Sequence, residues 1–232
     1  DNDGKISSNE NVKARNIKNT GEIQAVGSVS GNDLKTSGKV RANRKITVSG
    51  ELENGGDLES GKSLTVSKNI KNTGKIAVNE DISGKNTQNS GSMYSKNLKT
   101  DNLKNDGKVE VGNDLKTADI ENTKDITAVG KISGGNVNNS GKILTSNIKT
   151  TISGINRATV ENNGTLALTG NNGAVGIYLN NSTGLNNNII TTANEGSTAI
   201  YGNNNSILEN KGNITTSGKS SVGLFGDAST VS

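Results

Sequence analysis

Apolar residues in the first 150 residues recur in sets of three, spaced about six residues apart. In residues 102–118 the set is Leu103, Val109 and Leu115. Eight such units follow one another with a period of about 17 residues, which predicts stacked repeats that bury their apolar positions against neighbouring repeats. The sets, one of which has Thr87 in its first position, are Ile17, Ile23, Val29; Leu34, Val40, Ile46; Leu52, Leu58, Leu64; Ile70, Ile76, Ile82; Thr87, Met93, Leu98; Leu103, Val109, Leu115; Ile120, Ile126, Ile132; and Val137, Ile143, Ile148.

Within each unit the pattern around the middle apolar position has a period of two, which is typical of a β-strand. Val109 and Val111 are expected to point inward, and Lys108 and Glu110 outward. Three short strands in about 17 residues leave two or three residues for each corner, too few for a helix. The sequence therefore predicts an all-β fold, a parallel β-helix in which each strand pairs with its equivalent one coil away.

The corner after the first apolar position carries Asn and then Gly, each in seven of the eight units. Thr36 replaces the Asn once, and Lys124 replaces the Gly once. Gly is expected there because it adopts positive φ without a Cβ clash. Asn side chains stacked at the strand spacing are expected to form a structural ladder of amide hydrogen bonds. The predicted ladder is Asn19, Asn54, Asn72, Asn89, Asn105, Asn122 and Asn139, and the predicted corner glycines are Gly21, Gly38, Gly56, Gly74, Gly91, Gly107 and Gly141.

The period changes near residue 150. The segment ending in Tyr178 recurs in segments ending in Tyr201 and Phe225, at spacings of 23 and 24 residues, with Asn-rich corners between them. We expect residues 1–150 to form short coils and residues 151–232 to continue the β-helix with coils of about 23 to 24 residues. The aromatic column is interpreted as a stack along one face, and Tyr94 is expected to point outward.

Composition limits the classes of function. Only 28% of the chain is apolar and 2% aromatic, which suits the thin apolar line of a solenoid better than a globular core. The net charge is +4 with interspersed signs, and so few aromatic residues offer no stacking platform, so nucleic-acid binding is not expected. The chain has no Cys, which excludes disulfides and thiolate metal sites. Because residues 2–6 already resemble the middle of a unit, we expect a segment of a longer protein.

Catalytic and metal sites are not expected, and no cofactor is predicted. The chain lacks His and Cys, and its acidic residues are scattered without a local cluster. The Asn column could supply Ca²⁺ ligands, but the known Ca²⁺-binding repeat has a nine-residue period that this chain does not match. The lysines after the corner glycines (Lys39, Lys75, Lys108 and Lys142) could contact anionic glycans, although their column is interrupted by acidic residues and is interpreted as a solvated face.

The texture of these repeats resembles the passenger repeats of the large autotransporter adhesins of fusobacteria. The resemblance lies in residues 174–178, 209–215 and 221–226 and in the Asn-Thr-Gly-Lys-Ile units before them, and it extends to filamentous haemagglutinin-like proteins as a second choice. It implies a right-handed β-helix on the bacterial surface, anchored by a C-terminal outer-membrane barrel elsewhere in the full chain. It also implies a protein or glycan receptor on host cells or other bacteria.

Two further functions remain as alternatives to an adhesin segment. A β-helical carbohydrate-active enzyme fragment would need acidic residues brought together from adjacent coils. A self-associating matrix scaffold would use the unpaired strand edges of end coils. As an adhesin, the segment could act as a stalk or as the binding surface itself.

Overall fold

The computed structural model describes residues 1–145, 150–155, 157–170 and 172–232. The described residues form short β-strands and no helix, so none of them belongs to a helix long and apolar enough to cross a membrane. The chain divides into two compact units, unit 1 (Asp1–Gly112) and unit 2 (Asn113–Ser232). Each unit is a right-handed parallel β-helix, as the sequence predicted.

Each coil of unit 1 passes through three strands in succession, and every third strand belongs to the same parallel sheet. The first sheet starts with β1, the second with β2 and the third with β3. The strands are β1 (Lys5–Ser8), β2 (Val12–Lys13), β3 (Asn16–Asn19), β4 (Glu22–Ala25), β5 (Val29–Gly31), β6 (Asp33–Thr36), β7 (Lys39–Ala42), β8 (Ile46–Val48), β9 (Leu52–Asn54), β10 (Asp57–Ser60), β11 (Leu64–Val66), β12 (Asn69–Asn72), β13 (Lys75–Val78), β14 (Asp81–Ser83), β15 (Asn86–Asn89), β16 (Ser92–Ser95), β17 (Asn97–Lys99), β18 (Asn102–Asn105) and β19 (Lys108–Val111).

The core of unit 1 consists of apolar columns that run from coil to coil. Ile23 pairs with Val40, and Val40 pairs with Leu58, so each side chain packs on its equivalent one coil away. All three of these side chains are buried, as are the other predicted apolar positions of the unit. The two-residue alternation is also confirmed, since Val109 and Val111 are buried beside the exposed Lys108.

Unit 2 repeats this arrangement with longer coils toward its C-terminal part. The added residues lengthen the strands of the second sheet, three of which have six residues, and the corners before them. The strands are β20 (Leu115–Lys116), β21 (Asp119–Asn122), β22 (Asp125–Ala128), β23 (Ile132–Ser133), β24 (Asn136–Asn139), β25 (Lys142–Thr145), β26 (Thr150–Ile155), β27 (Thr159–Asn162), β28 (Thr165–Leu168), β29 (Val175–Asn180), β30 (Thr183–Asn186), β31 (Ile189–Thr192), β32 (Thr198–Asn203), β33 (Ile207–Asn210), β34 (Asn213–Thr216), β35 (Val222–Gly226) and β36 (Thr230–Val231).

The coil that follows Ile132 and the boundary between the units differ from the predicted organisation. Ile148, the predicted last apolar position of its unit, lies outside the described residues, and the residue that pairs with Ile132 is Ile152. The boundary between the two compact units falls after Gly112 in the chain, whereas the sequence placed a division at residue 150 on the ground of coil length. That division stays a prediction.

Candidate binding groove along the asparagine ladder

The predicted asparagine column lies at the corner between the third and first sheets, with its amides turned inward. In unit 1, Asn72 Nδ2 donates to Asn89 Oδ1 at 2.7 Å, and Asn89 Nδ2 donates to Asn105 Oδ1 at 2.8 Å. Asn72 Nδ2 also lies 3.1 Å from the backbone carbonyls of Gly74 and Ser92. Each amide thus links two coils. The contribution of the ladder to stability stays a prediction.

In unit 1 the column is interrupted once, at the position where the sequence has Thr36. Asn19 Nδ2 donates to Thr36 Oγ1 at 3.1 Å, but the hydroxyl does not continue the chain of hydrogen bonds. Asn54 Oδ1 is buried and has no hydrogen-bond partner among the described residues. Since a buried unpaired acceptor lowers stability, this position calls for an explanation.

In unit 2 the column is continuous and extends beyond the predicted members Asn122 and Asn139. Asn139 Nδ2 donates to Asn162 Oδ1 at 2.8 Å although the two residues are separated by 23 positions. Asn186 and Asn210 continue the column at intervals of 24. Asn162 and Asn210 could have been found from the sequence, because each begins an Asn-x-Gly corner like those of the shorter coils.

The corner glycines are present for a reason that differs from the predicted one. Positive φ occurs at Gly173 and Gly196 but at none of the seven predicted corner glycines. A Cβ atom at Gly38 would instead overlap the carbonyl oxygen of Gly21 one coil earlier. The same overlap would occur at the other six corner glycines, which are Gly21, Gly56, Gly74, Gly91, Gly107 and Gly141. Close approach between coils, and not the backbone dihedral angle, therefore favours glycine at these seven corners, although the corner with Lys124 accommodates a larger residue.

A shallow groove, here called the ladder groove, follows the outside of the ladder in unit 1. One wall is the outward column of the third sheet, and the other is the corner column that follows the ladder residues. The first wall is Lys18, Lys35, Glu53, Lys71, Gln88 and Lys104, and the second is Thr20, Ser37, Gly55, Thr73, Ser90 and Asp106. The first wall carries mainly positive charge, and the second carries mainly hydroxyl groups and ends at an acidic residue.

At one corner of the groove, Gly55 stands where other corners carry a side chain. The cavity at this point, here called the Gly55 cavity, has a volume of about 380 Å³. Two coils further along, where Thr73 and Ser90 form the same wall, the cavity measures about 190 Å³. A Cβ at Gly55 would meet its nearest atoms at 3.6 Å, so the corner does not need glycine there for steric reasons.

Four charged side chains surround the Gly55 cavity. Lys35 Nζ lies 2.6 Å from Glu53 Oε2, and both side chains remain partly exposed. The hydrogen bond from Lys35, with the charges of Lys35 and Lys71, lowers the pKa of Glu53 below its ordinary value. Neither Lys18 nor Lys71 forms an ion pair with a described residue. The rim therefore has an excess of positive charge.

The lysine column after the corner glycines lies on a different face, that of the first sheet. Lys75, Lys108 and Lys142 are exposed, and Lys39 is half-buried. Lys108 pairs with Glu110 and lies 5.6 Å from the centre of the Tyr94 ring. The hydrogen bond to Glu110 raises the pKa of Lys108 above its ordinary value. These contacts fit the predicted solvated face.

The predicted aromatic stack is confirmed on the second sheet of unit 2. The rings of Tyr178 and Tyr201 lie 5.6 Å apart, and those of Tyr201 and Phe225 lie 5.5 Å apart, with planes within 10° of parallel. Asn203 Nδ2 donates to the Tyr178 hydroxyl at 3.3 Å. Because the faces of the stacked rings contact one another, the aromatic column exposes mainly ring edges to solvent.

Among the described residues, no three His, Cys, Asp or Glu side chains come together in a group that could hold a metal ion. The chemistry that the ladder groove supports is noncovalent binding through ammonium groups, hydroxyls and the methylene stems of its lysines. Sequence reasoning did not find the groove. The two irregular corners, at Thr36 and at the Asn54-Gly55-Gly56 segment, were the signals that could have located its widest part.

The fold defines this chain as a parallel β-helical repeat protein with a polar exterior. Comparison with protein-family models, curated proteins and solved structures found no match to this chain.

Proposed function

We propose that this chain is a segment of the exported passenger of a bacterial surface adhesin. In this role it acts both as a stalk and as a binding surface for attachment to other bacteria or to host cells. The expected partner is a protein or glycan receptor on the opposing cell. Localisation on the bacterial outer surface and export through the outer membrane are parts of the same proposal.

The observation that carries this proposal is the in-register repetition of polar columns over a thin apolar core. In unit 1 the outward positions of the third sheet present a lysine, glutamate or glutamine at every coil, as with Lys71, Gln88 and Lys104. A surface that presents a long polar side chain at each coil can contact a partner at many points, and many weak contacts add to a firm attachment.

The test is competition for cell attachment. The purified 232-residue chain is added to fluorescent bacteria in the presence of host cells or partner bacteria, at concentrations up to the micromolar range. The control is a chain of equal composition in which the corner residues are permuted. Circular dichroism checks that the native chain contains β-structure. Inhibition by the native chain and not by the control supports an adhesive surface.

Two results would contradict the proposal in different ways. A folded chain that does not inhibit attachment would not be the binding surface, which would leave only the stalk role. Reversible assembly into large multimers in sedimentation experiments, without inhibition, would instead favour the matrix scaffold.

A further inference from the structure

We propose that the Gly55 cavity is a binding site for a carboxylate-bearing sugar unit of a glycan. This inference deepens the proposed adhesive function and rests on it for biological context. The cavity lies wholly within unit 1, between strands that pair in register: Lys18 with Lys35, Lys35 with Glu53, and Glu53 with Lys71.

The cavity is created by a residue choice that the fold does not require. At Gly56 a Cβ would overlap the Gly38 carbonyl oxygen, so that glycine is structural. At Gly55, one residue earlier, a Cβ would meet Thr36 O and Thr73 Oγ1 at 3.6 Å, an ordinary contact distance. The equivalent corner positions carry Thr20, Ser37 and Thr73. The absence of a side chain at Gly55 therefore leaves the cavity open at this corner.

The charge around the cavity selects for an anion. Successive strands of a sheet lie about 4.8 Å apart, so Lys18, Lys35 and Lys71 follow one another along the rim at short intervals. Glu53 offsets one of these charges through its contact with Lys35. A ligand carboxylate beside Lys18 would pair with an ammonium group that forms no ion pair with a described residue, and one beside Lys71 would add to the weaker attraction of that lysine to Glu53.

The rest of the lining favours a sugar over an acidic peptide. Asn54 and Thr36 form the floor of the cavity, and both side chains are buried. Thr20, Ser37 and Thr73 add hydroxyls along the opposite wall. Sugars carry many hydroxyl donors and acceptors, and their C–H faces pack on lysine stems and threonine methyls. The volume of about 380 Å³ is in the lower range for small-molecule sites, which suits one or two sugar rings.

The test is direct binding to the 232-residue chain, measured by isothermal titration calorimetry and by saturation-transfer NMR. The acidic probes are sialyllactose and tri-galacturonate. Lactose is the neutral sugar, a short poly-glutamate peptide is the acidic peptide, and inorganic sulfate is the simple anion. We expect at least one acidic sugar to bind about tenfold more tightly than any of these three. Equal binding of lactose, peptide or sulfate, or no binding of either acidic sugar, would overturn the inference.

Variants locate the site. Gly55→Thr fills the cavity with a side chain that neighbouring corners tolerate, and we expect affinity for the acidic sugar to fall about tenfold. Ser140→Thr introduces the same residue at the equivalent corner of unit 2 and should leave affinity unchanged. Thermal unfolding of both variants checks that the fold is retained. Unchanged affinity in Gly55→Thr would place the binding elsewhere and refute the assignment.

A charge variant provides an effect in the opposite direction. Glu53→Gln removes the acidic group from the rim and frees Lys35, so affinity for the acidic sugar should rise about threefold and that for lactose should not change. A fall in affinity would contradict the proposed role of the rim. Since these assays contain no cells, a chain that blocks attachment but ignores acidic sugars would disprove this site and leave the adhesive function standing. Binding of an acidic sugar without inhibition of cell attachment would support this site and contradict the adhesive function.

Discussion

Unit 1 and unit 2 contain the same kind of asparagine ladder on coils of different length. The ladder is continuous in unit 2 and is interrupted once in unit 1. In unit 2 the successive amides of Asn139, Asn162 and Asn186 are joined by hydrogen bonds of 2.8 and 2.7 Å although the interval along the chain reaches 24 residues. In unit 1 the intervals are 16 to 18 residues, yet the ladder is interrupted at Thr36. Coil length therefore does not decide whether the ladder forms.

This difference shows that the ladder depends on the local structure of the corner at which it lies and not on the length of the coil. The residues added to the long coils of unit 2 lie in and before the second-sheet strands, whereas the ladder lies between the third and first sheets. The corner keeps the strand spacing and the Asn, which place each amide over the next even where Lys124 or Asn188 stands at the glycine position. The interruption in unit 1 comes from one side chain at an otherwise regular corner.

The largest expected effect tests the core on which both ladders depend. Ile126 is fully buried in the first sheet of unit 2 and pairs with Ile143. Ile126→Asp would place a carboxylate in a narrow apolar column, and we expect it to lower the free energy of unfolding by about 4 kcal/mol or more. The measurement is thermal unfolding combined with hydrogen exchange, which reports each unit separately.

The matched control is Thr127→Asp, one position along the same strand and only half-buried. It should change stability by less than about 1 kcal/mol, because the new carboxylate remains in contact with water. Equal loss in the two variants would contradict the inward position of Ile126.

The next effect separates two adjacent glycines of unit 1. Gly56→Ala forces a Cβ against the Gly38 carbonyl oxygen, and we expect a loss of about 2 to 3 kcal/mol from the resulting strain. Gly55→Ala introduces a Cβ at ordinary contact distance and should stabilise by up to about 1 kcal/mol through the unfolded chain. Thermal unfolding of the two variants under identical conditions measures the difference. A similar loss at Gly55 would mean that its glycine is structural after all.

The sequence predicted most of the fold because a repeat reveals itself through its period. The apolar sets placed side chains such as Ile23 and Leu58 in the core, and the alternation around Val109 identified strands. The predicted reason for the corner glycines, positive φ, was wrong, because a sequence shows that Gly is preferred without showing which clash it avoids. The Gly55 cavity was not predicted, because it depends on the space between coils. In the repeat pattern of the sequence, this space is visible only as an irregular corner.

A third prediction compares a continuous part of the ladder with the interrupted part. Asn162→Ala in unit 2 removes an amide bonded to both neighbours and leaves Asn139 and Asn186 with incomplete partners, which should cost about 2 kcal/mol. Asn54→Ala in unit 1 removes an amide whose Oδ1 is already unpaired, so its cost should be about 1 kcal/mol. Chemical unfolding followed by circular dichroism measures both. A larger loss of stability in Asn54→Ala than in Asn162→Ala would show that other contacts of Asn54 compensate for the interruption of the ladder in unit 1.

The smallest effect restores the ladder in unit 1. Thr36→Asn would accept from Asn19 and donate to the unpaired Oδ1 of Asn54, and we expect a gain of about 1 kcal/mol. Ser37→Asn, at the exposed neighbouring position, is the control and should have no effect on the unfolding midpoint. Destabilisation by Thr36→Asn would mean that this corner cannot accommodate an amide in the ladder geometry.

The same variant also asks why the ladder is interrupted beside the Gly55 cavity. If Thr36→Asn stabilises unit 1 and weakens binding of an acidic sugar, the corner at Thr36 shapes the cavity, and the chain retains the interruption at a cost in stability. If it stabilises unit 1 and leaves binding unchanged, the interruption and the cavity are independent features. Recognition would then depend on the space at Gly55 and on the lysine rim alone.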